Sequence, residues 1–269
     1  MTPPRILAIA GSDSGGGAGI QADIKTITML GGHAMTAITA ITAQNTLGVT
    51  DIVPVPTATV LAQIEAVVSD IGVDAVKIGM IGSAETAAAV AEVLGRLGGK
   101  GELAIVFDPV MVATSSAVLA DAATIAAFER LMQVATLATP NAPELAALSG
   151  LPVDSERELE IAGLALARRY DVAVLAKGGH LAGDVLVDLL GLPDGRVHRW
   201  TATRIDTRHS HGTGCTLSSA IACLLGAGVP LADAIARGRD YVRATLGAAP
   251  GFGQGHGPMG HGLGRSYFP

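Results

Sequence analysis

Short apolar runs rich in valine and isoleucine alternate along the chain with longer segments of helical period. Residues 5–10 and 103–108 are typical of buried strands, whereas residues 57–71 carry their apolar side chains on one helical face. This alternation predicts repeated βαβ units and therefore an α/β fold with a central, mainly parallel sheet. Residues 184–190 and 196–205 are two consecutive strand-like segments with no helix between them. The Pro-Asp-Gly turn that joins them predicts a hairpin at one edge of the sheet.

The composition favours one large domain. Of the 269 residues, 49% are hydrophobic but only 3% are aromatic, so alanine, valine, isoleucine and leucine must build the core. Folds with parallel sheets often reach this length as a single domain. We therefore predict one domain over residues 1–250, followed by a glycine-rich and loosely ordered tail over residues 251–269.

Charge and cysteine content narrow the class of function. The formal net charge is −6, which argues against a surface for nucleic acid. No segment approaches the roughly 20 apolar residues of a membrane span. The two cysteines, Cys215 and Cys223, fall in or beside one predicted helix and form no disulfide framework. These features favour a cytoplasmic protein that acts on a small molecule.

Polar and glycine-rich segments follow the predicted strands. In parallel α/β sheets the ligand binds beyond the carboxyl ends of the strands, so these segments are the candidates for chemistry. They are Gly11 to Gly19, Gln44-Asn45, Met80, Asp108 to Met111, Asn141 to Glu144, Lys177 to Gly179, and Asp206 to Cys215.

The first glycine turn has the sequence GSDSGGGAGIQAD and begins at Gly11. Closely spaced backbone N–H groups at the start of a helix are suited to hold an anion or a polar ring. The turn matches neither the dinucleotide fingerprint nor the P-loop pattern, because Ile20 stands where a third glycine is required. A plain flexible turn is the alternative interpretation.

The second glycine turn has the sequence HGTGC and precedes an apolar helix. Gly212, Thr213 and Gly214 would direct N–H groups at charge that develops on a transferred phosphoryl group. We expect the same helix N-terminus to lower the pKa of the Cys215 thiol. By contrast, Cys223 lies in an apolar run and is expected to fill the core.

Two other functions would also place cysteine and histidine in this turn. His209, His211 and Cys215 could bind zinc together with histidines of the tail, although their spacing matches no structural zinc pattern. A cysteine hydrolase could use Cys215 as nucleophile and His211 as base. The hydrolase interpretation leaves the first glycine turn and Lys177 without a role.

Four further side chains are candidates for binding a metal ion or a phosphate group. Asn141 and Glu144 lie three apart at the start of a predicted helix, where they could hold hydrated Mg²⁺ or simply cap the helix. Spacing alone favours the cap. Asp108 could assist a metal or phosphate site or could be a turn residue, and Lys177 could neutralise phosphate or be a solvated surface residue.

Taken together, these segments resemble the hydroxymethylpyrimidine/phosphomethylpyrimidine kinases of thiamine biosynthesis, in the ribokinase-like superfamily. The resemblance extends from about Ile6 to Leu246. It rests on AGSDSGGGAGIQADIKT, TAQNT, KIGMIGS, DPVM, TPNAPE, KGGH and HGTGCTLS, in that order.

The resemblance implies a three-layer sandwich in which helices cover both faces of the sheet, the use of ATP with Mg²⁺, and a homodimer. It also implies phosphorylation of 4-amino-5-hydroxymethyl-2-methylpyrimidine and then of its monophosphate. Pyridoxal kinase is the nearest alternative activity, since pyridoxal is also a small ring with a hydroxymethyl group. A pseudoenzyme that binds the ring without phosphorylating it is a further alternative.

The resemblance also implies roles for individual residues. Gln44 would read the pyrimidine ring, Cys215 would take the alcohol proton, and Gly212 to Gly214 would form the anion hole. The remaining assignments are a ring pocket of Gly11, Ala18, Asp23 and Met80, a nucleotide site of Lys177, Asp206 and Thr213, and a magnesium site of Asn141 and Glu144 to which Asp108 is a candidate addition.

Three segments depart from the family pattern. Ala113 to Ser116 replaces a segment that commonly carries lysine and glycine, and His209-Ser210-His211 replaces Asn-Thr-His. The tail reads HGPMGH, whereas in the family an asparagine often precedes the last histidine. We therefore expect contacts with the nucleotide and with a covering loop to differ from those of the family, while the core motifs are intact.

Overall fold

The computed structural model describes residues 2–112 and 119–263, and these residues share one nine-stranded sheet. The departure at Ala113 to Ser116 lies outside the described residues. The strands are β1 (Arg5–Asp13), β2 (His33–Gln44), β3 (Val49–Pro54), β4 (Ala75–Ile78), β5 (Ala104–Phe107), β6 (Leu137–Ala138), β7 (Ala173–Lys177), β8 (Val185–Gly191) and β9 (Val197–Thr203).

The sheet is parallel in its centre and antiparallel at both edges. Its strand order is β3-β2-β1-β4-β5-β6-β7-β8-β9. The six strands β2, β1, β4, β5, β6 and β7 run parallel to one another. The predicted hairpin of β8 and β9 is confirmed. Strand β3 was not predicted, because its side chains are half-buried or exposed and its short sequence lacks a continuous apolar face.

Helices cover both faces of the sheet, which confirms the three-layer α/β architecture. Helices α2, α3, α5, α6 and α7 pack on one face, and α1, α8 and α9 pack on the other. The helices are α1 (Gly19–Met29), α2 (Thr57–Asp70), α3 (Ala84–Arg96), α4 (Gly99–Glu102), α5 (Ala122–Val134), α6 (Ala142–Ser149), α7 (Glu156–Tyr170), α8 (Thr213–Gly226) and α9 (Leu231–Gly247).

Several helices begin at polar side chains that satisfy their first backbone amides. Asp121 accepts a hydrogen bond from the Thr124 N–H at the start of α5. Ser155 accepts one from the Glu158 N–H at the start of α7, and the Glu158 carboxylate accepts one from the Asp154 N–H. In contrast, neither α1 nor α8 has a side-chain cap. These two helices follow the two glycine turns.

Residues 257–261 of the tail are packed against the domain, so the prediction of a loosely ordered tail is wrong for this part, whereas residues 251–254 are exposed. Met259 and His261 are each 3% exposed. The His261 ring bonds the hydroxyl of Thr216, and the Tyr241 hydroxyl donates to the His261 carbonyl. Glycine gives this segment a flexible composition, but its few buried side chains anchor it to helices α8 and α9. The division between a domain ending at 250 and a tail from 251 stays a prediction.

Across the described residues, we find no helix that combines the length and the apolar character needed to cross a bilayer.

Candidate functional site

The first glycine turn is filled by the protein's own carboxylate. Asp13, at the end of β1, accepts hydrogen bonds from the backbone N–H groups of Gly15, Gly17 and Ala18 at 2.8, 3.0 and 2.8 Å. Burial raises the pKa of Asp13, but these hydrogen bonds and its contact with His211 outweigh burial and lower it overall. The turn therefore holds an internal anion, which corrects the expectation that these amides are available to an external one.

The second glycine turn presents open amides at the start of α8. Its N-cap, Gly212, has φ +87° and no side chain to bond the helix. The Thr213 N–H bonds the Ser210 carbonyl. Within the described residues, the backbone N–H groups of Gly214 and Cys215 have no acceptor. Since unpaired amides at a helix N-terminus attract anions, this turn is the better place for a phosphoryl group.

The two turns touch each other through backbone. A Cβ atom added to Gly212 would overlap the Gly17 carbonyl oxygen, and one added to Gly17 would lie 2.5 Å from the His211 ring. The His211 ring bridges the two turns, because its Nε2 atom lies 2.9 Å from Asp13 Oδ2 and 3.1 Å from Gln44 Nε2. This contact joins the predicted ring-binding side chain, Gln44, to the residue that begins the second turn.

A buried ion pair lies at the base of the second turn. Lys177 Nζ, at the end of β7, is 3.0 Å from Asp108 Oδ1, which also accepts a hydrogen bond from the Thr139 hydroxyl. A Cβ atom on Gly214 would lie 3.2 Å from Asp108 Oδ2 and 3.3 Å from Lys177 Nζ. Both charged groups, predicted from separate strand ends, therefore reach the open amides.

Asn141 and Glu144 form a complete capping box, as spacing alone favours. The Asn141 side chain accepts from the Glu144 N–H at 2.9 Å, and Glu144 Oε2 accepts from the Asn141 N–H at 2.8 Å. Burial raises the pKa of Glu144 to about 7, with Lys177 opposing and Asp108 adding to the rise. Two neighbouring carboxylates that share one lysine make this a place where a cation would be stabilised.

The expected activation of Cys215 is wrong for the free protein. Burial raises the pKa of its thiol to about 11, and the charges of Asp23 and Asp108 act in the same direction. Lys77 and a hydrogen bond from the Gly19 N–H oppose this rise without overcoming it. The helix N-terminus is present, but desolvation of the thiolate costs more than the helix dipole returns.

Cys223 provides the comparison within the same helix. It is buried as predicted, 1% exposed, and burial also raises its pKa to about 11. The two thiols therefore differ in their neighbours rather than in acidity. His211 Nε2 faces the Asp13 carboxylate at 2.9 Å, and the pKa of Cys215 is high, and both observations are opposite to what the hydrolase interpretation requires. The described residues contain no group of three histidine, cysteine or acidic side chains able to hold a metal ion.

The predicted ring pocket is partly assembled. An added Cβ atom on Gly11 would be 3.0 Å from the Met80 sulfur, so these two residues are neighbours. Gln44 and Ala18 are half-buried near the first turn. Asp23 differs from the expectation of a pocket wall, because its side chain is fully buried and bonded to Lys77.

Two of the predicted nucleotide-site residues, Asp206 and Thr213, are not buried with the charged groups Lys177 and Asp108. Asp206 lies in the segment between β9 and α8 with its side chain exposed, and Thr213 is half-buried at the first residue of α8. Sequence reasoning missed Lys77, although a lysine inside the apolar strand sequence AVKI is an unusual signal. It also gave no role to Asp13, whose position before the glycines is the only sequence clue.

Comparison with known proteins agrees with this geometry. The chain matches the family described as phosphomethylpyrimidine kinase over residues 13–260. It is 48% identical to the hydroxymethylpyrimidine/phosphomethylpyrimidine kinase of Streptomyces coelicolor, over 97% of this chain and 96% of that protein.

Two solved structures are also similar. The phosphomethylpyrimidine kinase of Clostridium difficile has a TM-score of 0.78 and 36% identity, over 89% of this chain and 98% of that one. The pyridoxal kinase of Staphylococcus aureus in complex with ADP has a TM-score of 0.88 and 31% identity, over 98% of this chain and 95% of that one. The chain belongs to the phosphomethylpyrimidine kinase family.

Proposed function

We propose that this protein transfers the terminal phosphate of ATP first to the hydroxymethyl group of 4-amino-5-hydroxymethyl-2-methylpyrimidine and then to the resulting monophosphate, in thiamine biosynthesis. The observation that carries this proposal is the contact between the two glycine turns. Across this contact the side chain of Gln44, the candidate reader of the ring, lies 3.1 Å from the ring of His211, the residue that begins the turn with the open amides. Acceptor and phosphoryl group would thus meet at one junction.

The second turn would bind the migrating phosphoryl group. Phosphoryl transfer depends mainly on position and on stabilisation of charge. In the segment Gly212 to Gly214 and at Cys215, the open backbone N–H groups are those of Gly214 and Cys215, and Lys177 supplies a positive charge beside Gly214. Thr213, Lys177 and Asp206 would form the nucleotide side of the site, with Asp206 approaching from the solvent-exposed segment before α8.

Mg²⁺ fits the residues at the base of this turn. Asp108, Glu144 and Asn141 offer carboxylate and amide oxygens, and burial, with a smaller contribution from the charge of Asp108, raises the pKa of Glu144, so a bound cation would favour its carboxylate form. Bound there with several waters, the ion would neutralise phosphate oxygens. The capping box already orients Asn141 and Glu144, so the ion would contact oxygen atoms that the helix start holds in place.

The two reactions differ in their need for a base. In the first, the hydroxyl oxygen forms a bond with the γ-phosphorus, the bond from that phosphorus to ADP breaks, and the hydroxyl proton moves to the Cys215 thiolate. In the second, the acceptor is a phosphate monoester that is already an anion near neutral pH. The raised pKa makes the thiolate scarce but makes it a strong base once formed.

An ADP-release assay tests the function. With ATP and Mg²⁺, we expect release of one ADP per pyrimidine alcohol in the first step and a second with the monophosphate. Pyridoxal in the same assay tests the nearest alternative activity. Turnover of pyridoxal alone, or ring binding without ADP release, would overturn the proposal. A stable acyl adduct on Cys215 formed without ATP would instead identify a hydrolase.

A homodimer is also part of this proposal, and exposed apolar side chains support it. Ile41 and Val53 are cross-strand partners on β2 and β3, and each is 55% exposed. A second copy of the chain could cover this pair. Sedimentation of the wild-type protein and of Ile41→Asp tests the assembly; the wild type should sediment as a dimer and the variant as a monomer. A monomeric wild type would contradict the homodimer without affecting the kinase assignment.

A further inference from the structure

Helices α1 and α8 meet in a ladder of three contacts spaced four residues apart. The contacts are the Gly19 N–H to the Cys215 sulfur, the Ser219 hydroxyl to Asp23 Oδ1 at 2.7 Å, and the Cys223 sulfur to the Ile27 carbonyl at 3.8 Å. Residues four apart share one face of a helix. The Cys215 thiol therefore lies one helical turn from the contact between Ser219 and Asp23, on the same side of α8.

A buried lysine lies under the middle contact. Lys77, in the central strand β4, is 0% exposed, and its Nζ atom is 2.9 Å from both carboxylate oxygens of Asp23. Gly79 leaves space for the ammonium group, since a Cβ atom there would be 2.7 Å from Nζ. Burying two charges is costly even when they are paired, and an apolar pair of similar volume would pack as well. Packing alone therefore gives no reason for an ion pair at this position.

The charge of Lys77 acts on Cys215. Several charged groups influence this thiol from the surrounding elements: Asp23 on α1, Lys77 on β4, Asp108 after β5 and Lys177 on β7. The two carboxylates disfavour the thiolate, whereas the two lysines favour it. Burial lowers the pKa of Lys77, but the nearby anions outweigh burial and raise it overall, so the ammonium group stays charged.

We propose that Lys77, held by Asp23, is a positioning residue that directs its positive charge at Cys215 and stabilises the thiolate that receives the alcohol proton. The inference rests on the proposed function, in which Cys215 takes that proton during the first phosphorylation. The O–H bond of the alcohol breaks and an S–H bond forms, so the negative charge leaves the sulfur as the phosphoryl group is transferred. Lys77 acts before this step, by increasing the share of protein that carries the thiolate.

Alkylation of Cys215 in the free protein tests the inference without ATP or pyrimidine. Iodoacetamide reacts with the thiolate, and mass spectrometry of the Cys215 peptide separates its reaction from that of Cys223. At about pH 9 we expect Lys77→Met to react roughly tenfold more slowly than the wild type, as a shift of about one pKa unit produces. We expect Asp23→Asn to react several-fold faster, because it removes a negative charge from the same cluster.

Changes of the alkylation rate in opposite directions, slower in Lys77→Met and faster in Asp23→Asn, distinguish this role from a structural one. If the pair only supports the fold, both variants loosen the same site and change the rate in the same direction. Arg5→Met is the matched control, since it removes an ion pair of 2.6 Å with Asp74 at the opposite end of the sheet and should leave the Cys215 rate unchanged. If Lys77→Met fails to fold, Lys77→Arg keeps the charge and should retain the wild-type pH profile, whereas Lys77→Gln should not.

Failure of this inference can be told apart from failure of the proposed function. Unchanged alkylation in Lys77→Met, or equal rate changes in Lys77→Met and Asp23→Asn, would overturn the role of Lys77 while the wild type still releases ADP with the pyrimidine alcohol. A wild type that releases no ADP would overturn the proposed function, whatever the alkylation rates.

Discussion

The two glycine turns each lead into a helix and contact one another, but their backbone amides are used differently. Each turn follows a strand and leads into a helix that has no side-chain cap. In the first turn Asp13 accepts three backbone N–H groups, so the anion site is filled from within. In the second turn the Gly214 and Cys215 amides have no acceptor among the described residues. The amides of the first turn are thus satisfied by an internal carboxylate, whereas two amides of the second turn are open.

A glycine-rich turn is therefore not by itself a site for an external anion, because a side chain of the protein can occupy it. What decides its use is whether a nearby carboxylate can reach the amides. Asp13 comes directly before the glycines and folds back onto them, whereas the second turn has His211 at the corresponding place. His211 bonds Asp13 instead of the turn that it precedes. The filled turn therefore also orients the open one.

The largest effect is expected from Gly212→Ala. The residue has φ +87°, and its Cβ atom would overlap the Gly17 carbonyl, so the substitution should separate the two turns and abolish ADP release. Gly228→Ala is the matched control, because Gly228 has φ +79° but no atom within 4 Å of the added Cβ. It should cost only the left-handed backbone penalty of about 1 kcal/mol. Equal loss of activity in both variants would show that contact between the turns is unimportant.

Cys215→Ala should separate the two phosphorylations. Loss of a general base commonly reduces a rate by about 10²-fold or more, and only the alcohol needs one. Single-turnover measurements should show a large loss in the first reaction and a loss of about threefold or less in the second. Cys223→Ala, eight residues along the same helix, should lower thermal stability and affect both reactions equally. If Cys215→Ala slows both phosphorylations equally, the thiol is not the base, and the contribution of residue 215 is its backbone N–H.

Glu144→Gln tests the charge beneath the open turn. Glutamine keeps the capping-box geometry but removes the ionisable group. Because burial raises the pKa of Glu144 from its ordinary 4.5 to about 7, the folded protein binds the proton more tightly than the unfolded chain. This contribution to stability is complete below about pH 4.5 and is lost as the pH rises through about 7, with a magnitude of about 3 kcal/mol.

Urea unfolding between about pH 5 and 8 measures this contribution. The wild type should lose stability over that interval, whereas Glu144→Gln should lose much less. Glu158→Gln is the control, because Glu158 occupies the same helical position in an exposed cap and its pKa is lowered by the Asp154 N–H and the Ser155 hydroxyl. If Glu144→Gln keeps the wild-type pH dependence, another group causes it.

The smallest effect is expected from Asp13→Asn, which removes the negative charge of the carboxylate that the first glycine turn holds. Charge-assisted hydrogen bonds contribute more than neutral ones, and their loss should reduce the free energy of unfolding by about 2 kcal/mol near neutral pH. The pKa of Asp13 is lowered overall, so the loss should shrink as the pH falls through the range in which Asp13 is protonated. Asp121→Asn removes a carboxylate from a remote helix start and serves as the control. Its effect should be confined to stability, whereas Asp13→Asn should also weaken pyrimidine binding.

Much of the fold followed from short-range pattern. Alternation of apolar strands and amphipathic helices predicts the parallel centre of the sheet, and a Pro-Asp-Gly turn predicts the hairpin of β8 and β9. Strand β3 escaped prediction because it is an exposed edge, where pairing with β2 rather than burial creates the strand. The prediction for the tail was wrong at Met259 and His261 because glycine content describes the freedom of a chain and not the tertiary contacts that bury these two side chains.

The sequence by itself determined which residues stand at the ends of the strands, and this was enough to collect Asp108, Lys177 and the second glycine turn at one edge. The tertiary structure alone decided which charges meet. It paired Asp23 with Lys77, filled the first turn with Asp13, and buried Cys215 enough to raise its pKa to about 11. Periodicity acts over a few residues, whereas desolvation and ion pairing depend on groups that lie far apart in the chain and close together in space.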